Sequence, residues 1–396
     1  MEINTFKLKE ICKIKSGKRI PLGMDYTLEV TSHPYIRARD IKNGIIKTDD
    51  LIYLEDAVYN KIKKYIINNG DVAITIVGAS VGDIAYANSE VDGYNLTENA
   101  IRLTEFSDII NSRYVFYQLS QKTYYDYMQL IAGASAQPKL GIYKIERIRV
   151  NLPSKQYQDK IVNILSTYDN LIELNTKRIK TLEQMAENLY KEWFVRFRFP
   201  GHENAEFENG IPKGWEIKRL NTIADIVMGQ SPESSLYNME KQGLPFHQGV
   251  GSYGEYYLKD EVYSTGGNKR ANPNSIIFSV RAPVGRINIT LNTIILGRGV
   301  ASINSKTDNN GFLYWLLKFK FHQEDLIGNG SIFSSVTKKE LDNQKFIIPP
   351  KDIIHRFDDF AKLIEKNMRV LYLNNENLIK QRNLLLPRLM SGKLEV

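Results

Sequence analysis

Residues 152–194 read LPSKQYQDKIVNILSTYDNLIELNTKRIKTLEQMAENLYKEWF, and from Gln156 onward the stretch contains neither Gly nor Pro. Ile161, Ile164, Tyr168, Leu171 or Ile172, Ile179, Leu182, Met185 and Leu189 recur along it at helical spacing, which predicts one uninterrupted helix. At 1.5 Å per residue such a helix spans about 57 Å, more than packing inside one small domain requires. A narrow apolar stripe of that length needs a second helix to cover it. The same chain supplies one: Phe357, Phe360, Ile364, Met368, Leu371, Leu378 and Leu385 repeat the rhythm, with stop signals at Pro387 and Gly392. The two are expected to form an antiparallel coiled coil, with Asn175 and Asn374 or Asn375 as polar residues that set its register. Packing of each helix against its own globular domain is the simpler competing arrangement.

Outward from these helices the rest of the chain is also duplicated. Leu8, Ile11, Ile14 and Gly17 have the spacing of Leu220, Ile223, Ile226 and Gly229, and Pro21 and Pro232 follow soon after. Asp71-Val-Ala-Ile-Thr-Ile-Val-Gly-Ala-Ser-Val-Gly-Asp-Ile84 matches Asn274-Ser-Ile-Ile-Phe-Ser-Val-Arg-Ala-Pro-Val-Gly-Arg-Ile287 without a gap. From Ser135 to about Tyr190 the chain repeats at a constant offset of 196, with Leu152-Pro153 against Ile348-Pro349. Three matches in one order mean a shared frame with loops of unequal length. Val72 to Val77 and Ser275 to Val280 read as buried strands, and Arg113 to Ile131 and Gly311 to Ile327 as helices. The fold class is therefore α/β (mixed α+β): two similar globular domains and two long helices in a pseudo-two-fold internal repeat. The segments are 1–150, 151–199, 200–347 and 348–396.

At 396 residues the chain exceeds one ordinary core, and 42% hydrophobic content with mixed charge describes a folded, water-soluble protein. Without a signal segment or a membrane-length apolar run, a cytoplasmic location is expected. One cysteine, Cys12, excludes an internal disulfide and a cysteine-cluster zinc site. The net charge of +8 suits a polyanionic partner. Because the basic residues form no tail, any such surface must be assembled by folding.

Motifs for chemistry are absent. Gly17-Lys18 and Gly392-Lys393 lack the upstream glycine and following hydroxyl of a phosphate loop. His33, His202, His247, His322 and His355 are scattered, with no pair at metal-ligand spacing. Glu216-Ile-Lys218 has the Glu-x-Lys form of some nucleases but no preceding Pro-Asp, and Asn272-Pro-Asn-Ser275 lacks the second proline and aromatic ring with which an amino-methyltransferase holds its base. The chain reads as non-catalytic.

Gly133-Ala-Ser-Ala-Gln-Pro-Lys-Leu140, Gly330-Ser331, the Leu-Pro and Ile-Pro-Pro entries at 152 and 348, and above all Asn383-Leu-Leu-Leu-Pro-Arg-Leu-Met-Ser-Gly-Lys393 point to a family. Over essentially its whole length the chain resembles the specificity subunit of type I restriction-modification systems. The resemblance implies that 1–150 and 200–347 are target-recognition domains, each reading one half of a split, asymmetric double-stranded DNA sequence. The conserved helical regions 151–199 and 348–396 would space them and dock two methyltransferase subunits, with restriction (motor-nuclease) subunits completing the complex. No cofactor is then expected in this chain; S-adenosylmethionine, ATP and Mg belong on the partners. Two other readings share the duplicated architecture: a bipartite DNA-binding scaffold outside restriction, and the specificity module of a combined methylase-nuclease system.

Base edges are read by Arg, Lys, Asn, Gln, Ser or Thr on loops. In the first domain the candidates are Lys18, Arg19, Arg37, Arg39, Ser80, Gln137 and Lys139. Repeat-equivalent places in the second give Gln230, Ser231, His247, Gln248, Lys269, Arg270, Arg281 and Arg298. Tyr124, Tyr125 and Tyr127 suit core packing better than base stacking. Subunit docking is expected at Leu182, Leu189, Trp193, Phe194, Leu378, Leu385 and Leu389, with packing against the second domain as the competing role of Trp193 and Phe194.

Overall fold

The computed structural model describes residues 3–134, 138–326 and 335–394, the side chains of 322–326 excepted. It consists of two compact units, Met1–Leu174 with Asn375–Val396, and Asn175–Asn374. Each holds one globular domain and one half of each long helix, so packing cuts across the helical segments.

In the first unit the strand Asn4–Lys7 pairs antiparallel with Arg149–Leu152, Asn4 opposite Leu152. This pairing closes the domain and delivers the chain to the long helix. Between them lies an antiparallel sheet in the order Lys13–Ser16, Ala100–Thr104, Val72–Thr75, Ile84–Tyr86. One face buries Val72, Ile74, Ile101 and Leu103 against Tyr114, Val115 and Met128 of the helices Ser112–Leu119 and Lys122–Ala132. The opposite face carries Ala73, Ala85 and Ala100 under Ile36, Ile41, Ile67 and Leu96. Burial on both faces explains why these strands read as continuous apolar runs, and each Val, Ile or Leu so buried contributes about 1.5–3 kcal/mol. The helix expected over 113–131 is broken at Ser120 and Gln121; Asn111 caps the N-terminus of the first segment by accepting from Arg113 N at 3.0 Å.

The second unit repeats this plan: Glu216–Arg219 pairs with Lys345–Ile348, and the sheet order is Ala224–Met228, Val300–Ser305, Ile276–Ser279, Ile287–Ile289. The pairing corrects the gapless match. Ala100 lies opposite Thr75 and Val300 opposite Ser279, so Thr75 corresponds to Ser279 and not to Phe278. Burial agrees: Val72, Ile74 and Ile76 share the helix-facing core that Ile276, Phe278 and Val280 occupy in the second copy, whereas Ala73 and Ile277 face the other way. Thr75 N donates to Asp83 O and Ser279 N to Arg286 O, so the second hairpin's turn is one residue shorter. A one-residue slip reverses every side chain in a strand.

The first unit also buries an ion pair that the second lacks. Arg102 Nη1 lies 2.8 Å from Asp71 Oδ2, both nearly inaccessible, where the second sheet has Ser302 and Ser275. Removing one partner strands a buried charge, so Asp71→Ser or Arg102→Ser is expected to destabilise the first unit by about 3 kcal/mol. The double change, which copies the second sheet, should cost less than either single one. Denaturant titration of the three variants measures this, and a double variant weaker than both singles would contradict it.

The long helices span Lys155–Tyr190 and Lys351–Met390. In the first unit Ile161, Val162 and Leu165 share a core with Leu385, Leu389 and Met390. Asp169 holds Arg382 at 2.7 Å and Arg113 at 3.5 Å and accepts from the Tyr117 hydroxyl, and Asn375 Nδ2 donates to Ile172 O at 3.2 Å. In the second unit Ile179, Ala186 and Tyr190 share a core with Met368, Ala361 and Phe357. Rising numbers on one helix meet falling numbers on the other, which makes the pair antiparallel. The same residues also pack on the globular domains, so the competing arrangement is present as well. Of the three helix asparagines expected to set the register, Asn175 and Asn375 are buried and Asn374 is exposed.

Two details differ from expectation. Met185 is 49% exposed and Leu171 43%, while Ala186, Tyr190 and Leu165 are buried; one position along a helix turns the face by about 100°, and the domain cores fix which face turns in. The second helix also runs through Pro387 to Met390 and stops just before Gly392, so of the two stop signals only the glycine acts. Burial of Leu389 and Met390 outweighs the one N–H that proline lacks. Among the described residues no helix is long and apolar enough to cross a membrane.

Candidate nucleic-acid interface

At one end of the first sheet the turn Thr97-Glu98-Asn99 leads from the strand Asn95–Leu96 into Ala100–Thr104. Three neighbouring segments bond to it through the backbone: Gly17 N to Ala100 O (3.0 Å) and Lys18 N to Leu96 O (2.8 Å), Thr97 N to Ile36 O (3.0 Å), and Ile76 N to Asn99 O (2.8 Å). Leu140 N to Ile76 O (2.9 Å) adds a fourth segment behind the third. The second domain repeats every bond around Gly297-Arg298-Gly299: Gly229 N to Val300 O (3.0 Å), Gln230 N to Leu296 O (2.8 Å), Gly297 N to His247 O (2.8 Å), Val280 N to Gly299 O (2.9 Å) and Val336 N to Val280 O (2.8 Å). Candidates dispersed over more than a hundred residues of sequence thus gather on one frame.

Glycine is required where the frame is tightest. A Cβ on Gly17 would stand far inside contact distance of the carbonyl oxygens of Thr97 and Leu96, and one on Gly229 would do the same to Gly297 O. Gly297 and Gly299 let the backbone of Gln248 lie against the second turn.

The second frame brings together Gln230, Ser231, Gln248, Lys269, Arg270, Arg281 and Arg298. Ser231 Oγ accepts from Arg298 N at 3.1 Å, Leu296 N bonds Lys269 O at 2.8 Å, Arg270 lies opposite Ile295, and Arg281 bridges to Ser335 beside Val280. All but Ser231 are exposed. Among the described residues no carboxylate pairs with Lys269, Arg281 or Arg298. His247 is the exception. It occupies the strand position of Ile36, is 1% exposed, and places its ring nitrogens 2.9 Å from Ser252 Oγ and 3.0 Å from Asp260 Oδ1. Although burial opposes its charge, hydrogen bonds from His247 and Asn292 hold Asp260 below the usual carboxylate range. His247 therefore fixes the loop under Gln248 and offers no edge to a ligand, which corrects its place among the readers.

The first frame carries Lys18, Arg19 and Lys139 on its rim, with Ser80 in the hairpin turn beyond Ile76. Lys18 Nζ lies 5.6 Å above the Tyr65 ring. Its charges are mostly answered within the protein: Arg19 stands 4.0 Å from Glu98, and Arg39 2.6 Å from Asp50. Arg37 forms a two-pronged bond to Asp40, 2.9 Å at each prong, and is only 20% exposed, so it belongs to the fold and leaves the set of readers. Gln137 lies outside the described residues. Glu98 and Asn99, the counterparts of Arg298 and Gly299, were missed because no basic residue marks them. A fourth repeat block, Leu96 to Leu103 against Leu296 to Ile303, contains the signal.

The docking residues need revision too. Leu389 is fully buried in the first unit, and Leu385 packs on the same core. Phe194 lies 4.9 Å from Phe357 and 5.1 Å from Phe312, and Trp193 5.9 Å from Phe357. The competing role, packing against the second domain, is the one the structure shows. Leu182 and Leu189 pack on that core also, and Leu378 is half-buried. The apolar surface that the helices leave open is Leu171, Leu174 and Leu384 in the first unit, and Met185, Leu363, Val370 and Leu373 in the second.

The family model described as the type I restriction modification DNA specificity domain matches this chain twice, at residues 1–184 and 212–372. The chain belongs to that family. It carries two DNA-specificity domains, and its role is sequence recognition in concert with other subunits of a type I system, not catalysis. The MjaIX type I specificity subunit of Methanocaldococcus jannaschii is 28% identical, over 92% of this chain and 87% of its own length. Another relative from that organism is 29% identical over 99% of this chain and 94% of its own. The HindI specificity subunit of Haemophilus influenzae is 22% identical over 84% and 88%. In fold, the crystal structure of the type I S subunit from M. genitalium superposes with a TM-score of 0.62 at 13% identity, over 98% of this chain and 96% of that one.

Proposed function

We propose that each unit of this specificity subunit reads one half of a split, asymmetric DNA site, and that the helix pair fixes the gap between the halves. The observation that carries this reading is the pair of turns at 97–99 and 297–299, one backbone frame with a carboxylate at one apex and a guanidinium at the other. Identical frames with unlike side chains suit two different half-sites better than a palindrome. A stiff connection makes the second contact intramolecular, so the two half-site affinities combine through a high effective concentration.

Two methyltransferase subunits dock on the helices under this reading, and motor-nuclease subunits join them in the cytoplasm. Leu174 and Val370, equivalent at the offset of 196, are 45% and 53% exposed, which supplies one apolar docking point per unit. The partners would bind S-adenosylmethionine, ATP and Mg.

The test is single-molecule methylation sequencing of DNA from cells carrying the subunit and its partners. A two-part, non-palindromic motif with a fixed gap is expected; a continuous or palindromic motif would refute the reading. Co-purification should give two methyltransferase copies per chain, falling to one for Leu174→Glu or Val370→Glu. Two copies retained in both variants would exclude these docking points.

A further inference from the structure

We infer that the apex residue of each turn selects one base pair: Arg298 a guanine in one half-site, and Glu98 a cytosine in the other. The inference rests on the split-site reading above and assigns chemistry to it.

Arg298 is presented by a rigid mount. Its own N–H is held by Ser231 Oγ at 3.1 Å, Val300 N closes the turn onto Gly297 O at 3.1 Å, and the flanking glycines leave no side chain beside it. The guanidinium is exposed, and among the described residues it has no carboxylate partner. A free fork of N–H donors matches O6 and N7 of guanine in the major groove.

Glu98 occupies the same place with the opposite charge. Ala100 N closes its turn onto Thr97 O at 3.2 Å, the carboxylate receives the Thr97 hydroxyl at 3.1 Å, and the Tyr35 hydroxyl, 3.5 Å from it, gives its proton to Lys18 O at 2.9 Å. Burial pushes the Tyr35 phenol up to about 12, so it remains a proton donor. Phosphates repel a carboxylate, so a glutamate at a DNA-facing apex has only base amino groups to engage. Two bases offer an amino group in the major groove, and a carboxylate suits cytosine N4 rather than adenine N6, because the adenine N7 acceptor beside N6 repels its second oxygen. Arg19, 4.0 Å away, offsets the repulsion from the backbone.

Glutamine separates these roles, because its amide pairs with adenine N6 and N7. Arg298→Gln and Glu98→Gln, each assembled with the partner subunits, are to be mapped by methylation sequencing. Arg298→Gln is expected to change one guanine of one half-site to adenine, or to relax it by about 5- to 150-fold, leaving the other half-site intact. Glu98→Gln should do the same to one cytosine of the other half-site. Normal methylation of an unchanged sequence by both variants would overturn the inference. If a variant stops methylation altogether, binding of the purified complex to duplexes carrying each base at each position decides. Loss of discrimination at one position supports base reading; an equal loss on every sequence marks a phosphate contact or a structural role and overturns it. A continuous target for the unmodified chain would instead refute the split-site reading itself.

Discussion

Alanine at Gly17 or Gly229 is expected to remove one half of the recognition specificity while leaving the other half and the helix pair intact. The added methyl meets backbone carbonyl oxygens of the reading turn, Thr97 and Leu96 in one domain and Gly297 in the other, and these cannot swing aside as a side chain would. Relief requires parting the strand from the turn, which breaks the two backbone bonds that Gly17 and Lys18, or Gly229 and Gln230, make to it. Overpacking and two unsatisfied backbone pairs together cost roughly 5 kcal/mol. Gly251→Ala is the control, since nothing stands within 4 Å of a Cβ there. Protease protection and DNA binding of the three variants check the expectation. Native behaviour of Gly229→Ala would show that the close approach has no role.

Inserting one heptad into each long helix, beside Asn175 and Asn375, is expected to move methylation to a motif with a gap about three base pairs longer. Seven residues add about 10.5 Å, which matches three steps of 3.4 Å along DNA. A heptad returns the apolar stripe to within about 20° of its phase, so the pair can still close. The half-sites should not change, because both reading turns lie outside the helices. Three base pairs also rotate the duplex by roughly 100°, so reduced efficiency is expected at the new gap and background levels at the old one. The original gap, methylated at normal efficiency, would show that the helices do not set the spacing.

The helices and the duplication were legible because each depends on patterns that survive loop variation: an uninterrupted apolar stripe, and glycines that backbone contact makes irreplaceable. The strand register was not. Val72 to Val77 and Ser275 to Val280 are apolar on both faces, so sliding one against the other by a residue leaves a plausible match, and it takes the pairing of Ala100 and Val300 and the side to which each residue is buried to distinguish the two. His247 misled for a related reason: its polarity suggested a loop, but its register with Leu296 places it where Ile36 stands in the first copy. Glu98 was overlooked because a search for cations passes over a carboxylate. Leu385 and Leu389 look like docking points in sequence because they continue the apolar stripe, but both turn into the first core, whereas Leu174 and Val370 are exposed.

The most direct test of the claim that one chain carries two independent reading surfaces is exchange of residues 1–150 for the corresponding domain of another family member, followed by methylation sequencing. One half of the motif should change to that of the donor, with the other half and the gap retained. A change in both halves, or in neither, would contradict the account.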